Sequence, residues 1–181
     1  MAEKLVFESA IEGLFIRGLG PRVTPALKAE LKTLGLDLDR KLPPACTRTV
    51  WYATIAAVVR HLYPGSSPAD AHRELGRMMM EGIELTLFGR TMAPAVKLLG
   101  PRRLLKRVPS NMKSSNNFSI GVMTELTPTS MKLVVDDVGD APEIFQGSLE
   151  RMVAWAGGRD VVVKVDAPAL PVASYLINWS E

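Results

Sequence analysis

The sequence has little of the residue types that build covalent, metal or nucleic-acid sites. Its single cysteine, Cys46, rules out an intrachain disulfide, which is typical of a protein from a reducing compartment. Its two histidines, His61 and His72, lie apart from any cysteine or carboxylate at ligand spacing, so no metal site is predicted. Aromatic residues make up only 6% of the chain, and the basic stretch 97–113 contains none that could stack on bases, so we expect no nucleic-acid partner.

Long apolar runs and recognisable motifs are also missing. The longest tight apolar run, Ile55–Val59, is far short of the roughly 18 residues of a membrane span. The start of the chain does not resemble a secretory signal, so we expect a cytoplasmic protein without a membrane span. Neither glycine-rich phosphate-binding string occurs, and the acids of 136–143 lack the spacing of a calcium loop. The sequence therefore predicts no catalytic residues, no cofactor and no enzyme.

What is present describes an ordinary globular chain. It has 181 residues, of which 47% are hydrophobic and 23% charged, and this length and balance predict a single domain, 1–181. Apolar residues at helical spacing predict helices over 7–18, 25–34, 47–63 and 68–99, with a short basic helix over 102–108. Thr24 is predicted to be an N-cap, with Pro25 at the first helical position, and Thr47 and Ser67 mark the starts of two further helices.

The period changes after residue 113. Apolar residues alternate over 118–126, 131–135, 161–165 and 173–179, which predicts four strands, and 147–157 has helical spacing. The fold class is therefore predicted to be α+β: a helical N-terminal two-thirds (1–113) followed by a four-stranded, mainly antiparallel β-β-α-β-β sheet unit (114–181). The strand order stays open.

Glycines inside the longest predicted helix indicate a candidate binding site. Gly82 and Gly89 each cost about 1 kcal/mol relative to alanine, and their spacing of seven places them on one face. Such glycines indicate close approach by another helix, which is the favoured interpretation, or by a bound molecule. A helix break near 80–82 would also explain Gly82. If the glycines make room for a bound molecule, a small, largely apolar ligand would lie between helices and sheet, lined by Met78, Met79, Gly82, Gly89 and Met92.

Charge is distributed unevenly along the chain, although the net charge is only +3. The candidate interaction surface consists of Arg102, Arg103, Lys106 and Arg107, and an acidic loop, 136–143, follows about 30 residues later. Opposite patches of this kind suit a homodimer, a protein partner or an intramolecular contact, and two solvated faces are the alternative. The basic stretch could also meet an anionic lipid surface, although the acidic loop weakens that interpretation.

Cys46 and His61 are the remaining residues with reactive side chains in apolar surroundings. Cys46 has no histidine near it in sequence to act as a base, so it is interpreted as an inert or half-buried thiol. His61 lies at the edge of the apolar face of its helix and could in principle ligate a haem iron, but a histidine on a helix flank is the simpler interpretation.

A combination of short strings distributed along the chain is similar to a known family. They include Phe7–Ser9, Glu12–Phe15, Leu42–Ala45, Leu62–Gly65, Leu87–Arg90, Phe145–Gly147 and the closing Tyr175, Ile177 and Trp179. Over nearly its whole length the chain resembles a paralogous family found in myxobacteria and treated as a domain of unknown function. Cys46 departs from that pattern, which has tyrosine there, and this argues against a nucleophile shared by the family.

The layout also resembles, more weakly, a broader group defined by architecture. That group includes haem nitric-oxide-binding domains, vinyl-reductase-type small-molecule-binding domains and subunits of vesicle-tethering transport particles. The resemblance implies helices followed by a sheet, an apolar ligand held between them, and dimerisation through helices. No string in this sequence matches the haem-binding motif, so haem is not part of that expectation.

Overall fold

The computed structural model describes residues 2–181, except for the side chain of Pro168. The helices are α1 (Glu8–Ile11), α2 (Pro25–Thr33), α3 (Arg48–Leu62), α4 (Pro68–Leu85), α5 (Leu87–Leu105), α6 (Val108–Met112) and α7 (Pro142–Trp155). A π-helical segment, Glu12–Gly18, continues α1, and Gly20–Arg22 forms a short 3₁₀ turn. The strands are β1 (Leu5–Phe7), β2 (Ala45–Thr47), β3 (Gly121–Thr127), β4 (Ser130–Val135), β5 (Arg159–Ala169) and β6 (Val172–Ser180).

The predicted α+β architecture is confirmed. The last four strands form one antiparallel sheet in the order β3-β4-β6-β5, and α7 lies between β4 and β5 in the chain. One face of this sheet is buried, with Leu133, Tyr175 and Ile177 fully enclosed against Leu149 and Val153 of α7. α7 begins at Pro142, five residues earlier than predicted, because proline is favoured in the first helical turn and Glu143 favours the helix dipole there.

A second sheet has only two strands. β1 and β2 pair antiparallel, with Val6 opposite Cys46. The predicted helices begin at residues 7 and 47, and no pairing of the segments before them is predicted. Three residues are too few for alternation to be visible, so each strand depends on its partner rather than on its own pattern.

The long predicted helix 68–99 is two helices. Thr86 has extended backbone angles, and its hydroxyl accepts a hydrogen bond from the Gly89 backbone N–H at 3.0 Å, which ends α4 and caps α5. The prediction that Gly82 and Gly89 share one helix face is therefore wrong. The alternative explanation of Gly82, a break near 80–82, does not apply, because α4 continues to Leu85. Gly100 is not helical, with φ +70° and ψ 169°, and it divides α5 into two helical stretches at a kink, because glycine tolerates this left-handed conformation. The first stretch thus ends where the predicted helix 68–99 ends, and a second, basic stretch follows it as predicted.

The core has two main parts with α4 between them. One part lies among the helices and includes Leu14, Phe15, Trp51 and Leu75, and the other lies between α7 and the sheet. The predicted cap at Thr24 and the predicted helix starts at Thr47 and Ser67 are confirmed, and all three hydroxyls accept a backbone N–H from the first turn of their helix. Within residues 2–181, none of the helices is long and apolar enough to cross a membrane.

Candidate functional site

Gly82 lies where α4 crosses the π-helical segment. A Cβ atom at Gly82 would overlap the Gly13 carbonyl oxygen and come within 2.7 Å of the Gly18 nitrogen. The two backbones therefore touch at this point, and the favoured interpretation, close packing by another helix, is confirmed for Gly82. Backbone contact also leaves no room for a bound molecule between these two residues.

The other predicted pocket residues are dispersed. The Met78 sulfur accepts hydrogen bonds from Arg22 and from the Tyr63 hydroxyl, each at 3.3 Å. Met79 packs on the helical part of the core, and Met92 packs on the end of α7 beside Trp155. Gly89 faces the last turn of α4, where a Cβ would overlap the Ile83 carbonyl. The structure does not bring the five residues together around one cavity, and a ligand site there stays a prediction.

Half of the predicted basic surface is used within the chain. Arg102 and Lys106 both bind Glu125 of β3, at 2.5 and 2.7 Å, which fixes the end of α5 to the sheet. These hydrogen bonds lower the pKa of Glu125 below its ordinary value, and the bond from Lys106 has the largest effect. Arg103 and Arg107 are exposed and, among residues 2–181, have no carboxylate within 4.0 Å.

The acidic loop also makes contacts within the chain, but its partners lie outside the basic stretch. Asp137 is buried, and it accepts from Lys4 at 2.6 Å and from the Gly139 backbone N–H at 3.0 Å, with Arg48 at 3.4 Å. Asp136 accepts from the backbone N–H of Ile120 at 2.7 Å. The loop thus anchors the N-terminal segment and α3, and mainly Asp140 and Glu143 are left to face outward.

These two carboxylates border a cleft of about 470 Å³. The cleft lies between the start of α4, the loop before α7 and the β5–β6 hairpin, and it is lined by Ser67, Pro68, Ala69, His72, Asp140, Pro142, Glu143, Ala167 and Leu170. Its volume falls in the range usual for small-molecule sites, and most of its walls are apolar with a few converging polar groups. A second concave site, of about 230 Å³, lies near Phe15 and Leu38.

The imidazole of His72 is the titratable group whose pKa the cleft changes. Burial lowers the pKa of His72 below its ordinary value of 6.5. The nearby Glu143 carboxylate, whose oxygen lies 3.7 Å from Nδ1, acts in the opposite direction and raises this pKa, but its effect is smaller. His72 is therefore neutral at pH 7, and Asp140 and Glu143 leave the cleft with a negative charge. An apolar cleft with this charge suits a molecule that carries an apolar body and a cationic or hydrogen-bond-donating group.

The sequence does not predict the cleft, because the residues that line it come from three separate parts of the chain. The predicted helix start at Ser67 and the acidic loop 136–143 both border the cleft, but neither prediction concerns a binding site. Nothing in the spacing of His72, Glu143 and Leu170 indicates that they would meet, because their proximity depends on the hairpin folding back over α4 and α7.

The lowered pKa of His72 predicts a pH dependence of stability. Between the folded pKa and the ordinary value of 6.5, the unfolded chain binds more protons than the folded one, so the free energy of unfolding decreases as the pH falls through that window. We expect His72→Gln to flatten this decrease. Urea unfolding of both proteins at a series of pH values from neutral to mildly acidic measures it, and an identical slope in the variant would refute the assignment.

Cys46 provides a second prediction, on thiol reactivity. Burial raises the pKa of this thiol from 9.0 to about 11, which reduces the thiolate fraction at neutral pH about a hundredfold. We therefore expect alkylation of the folded protein by iodoacetamide to be at least ~100-fold slower than in urea, where the thiol is exposed. Mass spectrometry over time measures both rates, and equal rates would show that the interpretation as an inert thiol is wrong.

Comparisons with known proteins give a family and a fold. The model of a family described as "Protein of unknown function (DUF2378)" matches residues 4–180. No curated protein matches the chain.

Similar solved structures are H-NOX proteins. An Fe(II) unliganded H-NOX protein from K. algicida has a TM-score of 0.69 and 10% identity, over 96% of this chain and 95% of that one. An H-NOX protein from S. oneidensis in the Fe(II)NO state has a TM-score of 0.70 and 12% identity, over 96% and 99%. An oxygen-binding H-NOX domain related to soluble guanylate cyclases has a TM-score of 0.61 and 12% identity, over 96% and 92%. At these identities the likeness concerns the fold alone.

Because a further match of this group concerns haem redox potential, we tested whether the residues of this chain suit haem. A haem iron needs an axial side chain such as histidine, cysteine or tyrosine. His61 is bound to Glu30 at the surface, 2.7 Å away, and Cys46 is buried in the helical part of the core. His72 borders the cleft, but Asp140 and Glu143 there would repel the carboxylates of haem.

The three tyrosines are engaged as well. The hydroxyls of Tyr52, Tyr63 and Tyr175 donate to the Val138 carbonyl, the Met78 sulfur and the Pro142 carbonyl respectively. Within the described residues, no group of three His, Cys, Asp or Glu side chains could hold a metal ion either. The fold resembles that of haem proteins, but the residues of this chain do not fit haem.

Proposed function

We propose that this chain, which belongs to the DUF2378 family of proteins of unknown function, is a non-enzymatic sensory or carrier module that binds a small, largely apolar ligand between its helices and its sheet. The fold it shares with H-NOX proteins, among them an oxygen-binding domain, supports a role in binding rather than in catalysis. Since fold alone does not determine function, the proposal depends on a site in this chain itself.

The observation that carries the proposal is the cleft at the start of α4. It is concave, has about 470 Å³ of space and lies where two helices meet the β5–β6 hairpin. Pro68, Ala69, Pro142, Ala167 and Leu170 give it apolar walls. A histidine with a perturbed pKa in such a cleft is a feature of functional sites more often than of plain surface.

The polar groups of the cleft select the class of ligand. Asp140 is exposed and Glu143 half-buried, and both carboxylates can accept hydrogen bonds from a ligand, while neutral His72 has one donor and one acceptor nitrogen. An alkyl or aryl amine would place its apolar part against Pro142 and Leu170 and its ammonium group between the carboxylates. A carboxylic acid of the same length would be repelled.

Native mass spectrometry of the purified protein, compared with extraction after denaturation, tests the proposal directly. We expect a small molecule that is present in the native spectrum and released by denaturation. A protein that carries no ligand, and that also fails to bind the defined probes described next, would refute the proposal.

Octylamine and octanoate form a matched pair of probes for isothermal titration calorimetry. We expect octylamine to bind and octanoate not to, and Glu143→Gln to weaken octylamine binding about tenfold. Ala69→Phe should fill the cleft and abolish binding, whereas Ala56→Phe adds the same ring to an exposed position of α3 and should leave binding unchanged. Octylamine binding that depends on Met79 or Met92 instead would move the site to the residues predicted from the sequence.

A homodimeric protein-interaction module without ligand is a second candidate. Arg103 in α5 and Arg107 just after it are exposed without a carboxylate partner in the described part of the chain, which favours contact with an acidic surface. Replacing both by glutamate should then weaken self-association and leave folding intact, because neither holds Glu125. Sedimentation velocity of both proteins measures self-association. A dimer that persists unchanged in the variant would show that these arginines are not part of the dimer interface.

A further inference from the structure

α5 presents an apolar face to solvent. Leu87, Thr91, Pro94 and Leu98 follow the i, i+4, i+7, i+11 spacing of one helix face, yet all four are exposed. Leu87 and Leu98 are 78% and 87% exposed, and Phe88 beside them is 69% exposed. The opposite face of the same helix, which includes Val96, is buried against the end of α7. α5 is thus apolar on both sides, and nothing among residues 2–181 covers its outer side.

Cations without counter-charges flank this outer face. Arg90 and Lys97, seven residues apart, lie on one side of it and are exposed. Among residues 2–181 neither has a carboxylate within 4.0 Å, and the sequence contains no acidic residue from 85 to 124. Glu125, the first acid after that stretch, is held by Arg102 and Lys106.

These charges argue against the possibility that a second copy of this chain covers the outer face of α5. Two α5 faces packed on each other would bury the leucines, but neither copy would bring a carboxylate from this stretch to Arg90 or Lys97. An anionic lipid surface supplies both missing partners: an apolar layer for the leucines and Phe88, and negative headgroups for the two cations. No helix among the described residues can cross a bilayer, so α5 would lie in the interface.

We propose that the outer face of α5, formed by Leu87, Phe88, Thr91, Pro94 and Leu98 and flanked by Arg90 and Lys97, docks this protein onto an anionic phospholipid membrane. The proposal is independent of the ligand cleft, since none of these residues lines it. Binding takes place through partial insertion of the exposed apolar side chains together with attraction of the cations to the headgroups.

Flotation of the full chain with vesicles tests the proposal. We expect binding to vesicles of roughly 70% phosphatidylcholine and 30% phosphatidylserine, weak or no binding to phosphatidylcholine alone, and a strong loss of binding at about 0.5 M salt. The double variant Leu87→Ser, Leu98→Ser should reduce binding about tenfold or more, and Arg90→Gln with Lys97→Gln should reduce it several-fold.

A matched control uses apolar residues exposed elsewhere. Val122 and Leu176 lie on the outer face of the sheet, and replacing both by serine should leave vesicle binding unchanged. Because all the substituted side chains are exposed, circular dichroism should show each variant folded. Failure of the wild-type protein to bind anionic vesicles, or wild-type binding by the leucine variant, overturns the proposal. So does a wild-type dimer in sedimentation that the leucine variant converts to a monomer, since the face would then belong to a second copy.

Discussion

Gly147→Ala should destabilise the protein by about 3 kcal/mol or more, although alanine is normally the better helix former by about 1 kcal/mol. Gly147 lies in α7 where it crosses α4, and a Cβ there would overlap the Arg73 carbonyl oxygen and come within 3.0 Å of the Arg77 nitrogen. The contact is reciprocal, since a Cβ at Gly76 would overlap the Ile144 carbonyl oxygen. Backbone atoms cannot turn aside as a side chain can, so the two helices would have to separate.

Urea unfolding followed by circular dichroism measures this effect. Gly65→Ala is the control, because that glycine lies in a turn where nothing is within 4 Å of the added methyl group, and it should change stability by less than about 0.5 kcal/mol. If Gly147→Ala were neutral or stabilising, α4 and α7 would not cross as closely as the structure has them.

Glu150→Gln should cost about 2 kcal/mol of stability. Glu150 lies one turn after Gly147, and its carboxylate is 5% exposed. It accepts from Arg73 at 3.0 Å and from Arg77 at 2.9 Å, which ties α7 to two turns of α4. An amide would present a donor where both guanidinium groups already donate. The cost stays near 2 rather than 5 kcal/mol because Arg73 and Arg77 remain 37% and 41% exposed and keep part of their hydration.

Glu74→Gln is the matched control for the charge change. Glu74 also lies near Arg77, at 3.7 Å, but its side chain is 44% exposed. An exposed pair contributes little, so this substitution should cost less than about 0.5 kcal/mol. Equal effects of the two substitutions in thermal unfolding would mean that burial of Glu150 adds nothing to the contact.

The crossing of α4 and α7 also determines the shape of the ligand cleft. The start of α4 contributes Ala69 and His72 to the cleft, and the first turn of α7 contributes Glu143. The Ser148 hydroxyl lies between the helices, within 3.2 Å of the Gly76 carbonyl and 2.8 Å of that of Ile144. The same glycine contact that holds the two halves of the core together therefore fixes two walls of the proposed site.

Local sequence is enough to predict the fold class, the four-stranded tail with its crossing helix, and the helix starts at Thr24, Thr47 and Ser67. These features depend on local periodicity and on caps formed within one turn, which neighbouring residues decide among themselves. Gly82 was also recognised as a place of close approach, because an unfavourable glycine in a helix needs a reason.

Long-range packing, in contrast, sets the strand order, the β1–β2 pair, the partner of each glycine and the cleft. Gly76 and Gly147 are 71 positions apart in the sequence, and nothing local to either indicates that α4 and α7 meet there. His72, Glu143 and Leu170 likewise come from three segments that meet only when the hairpin and both helices pack. The outer face of α5 has the apolar spacing of a buried one, so only the fold could show that it is left uncovered.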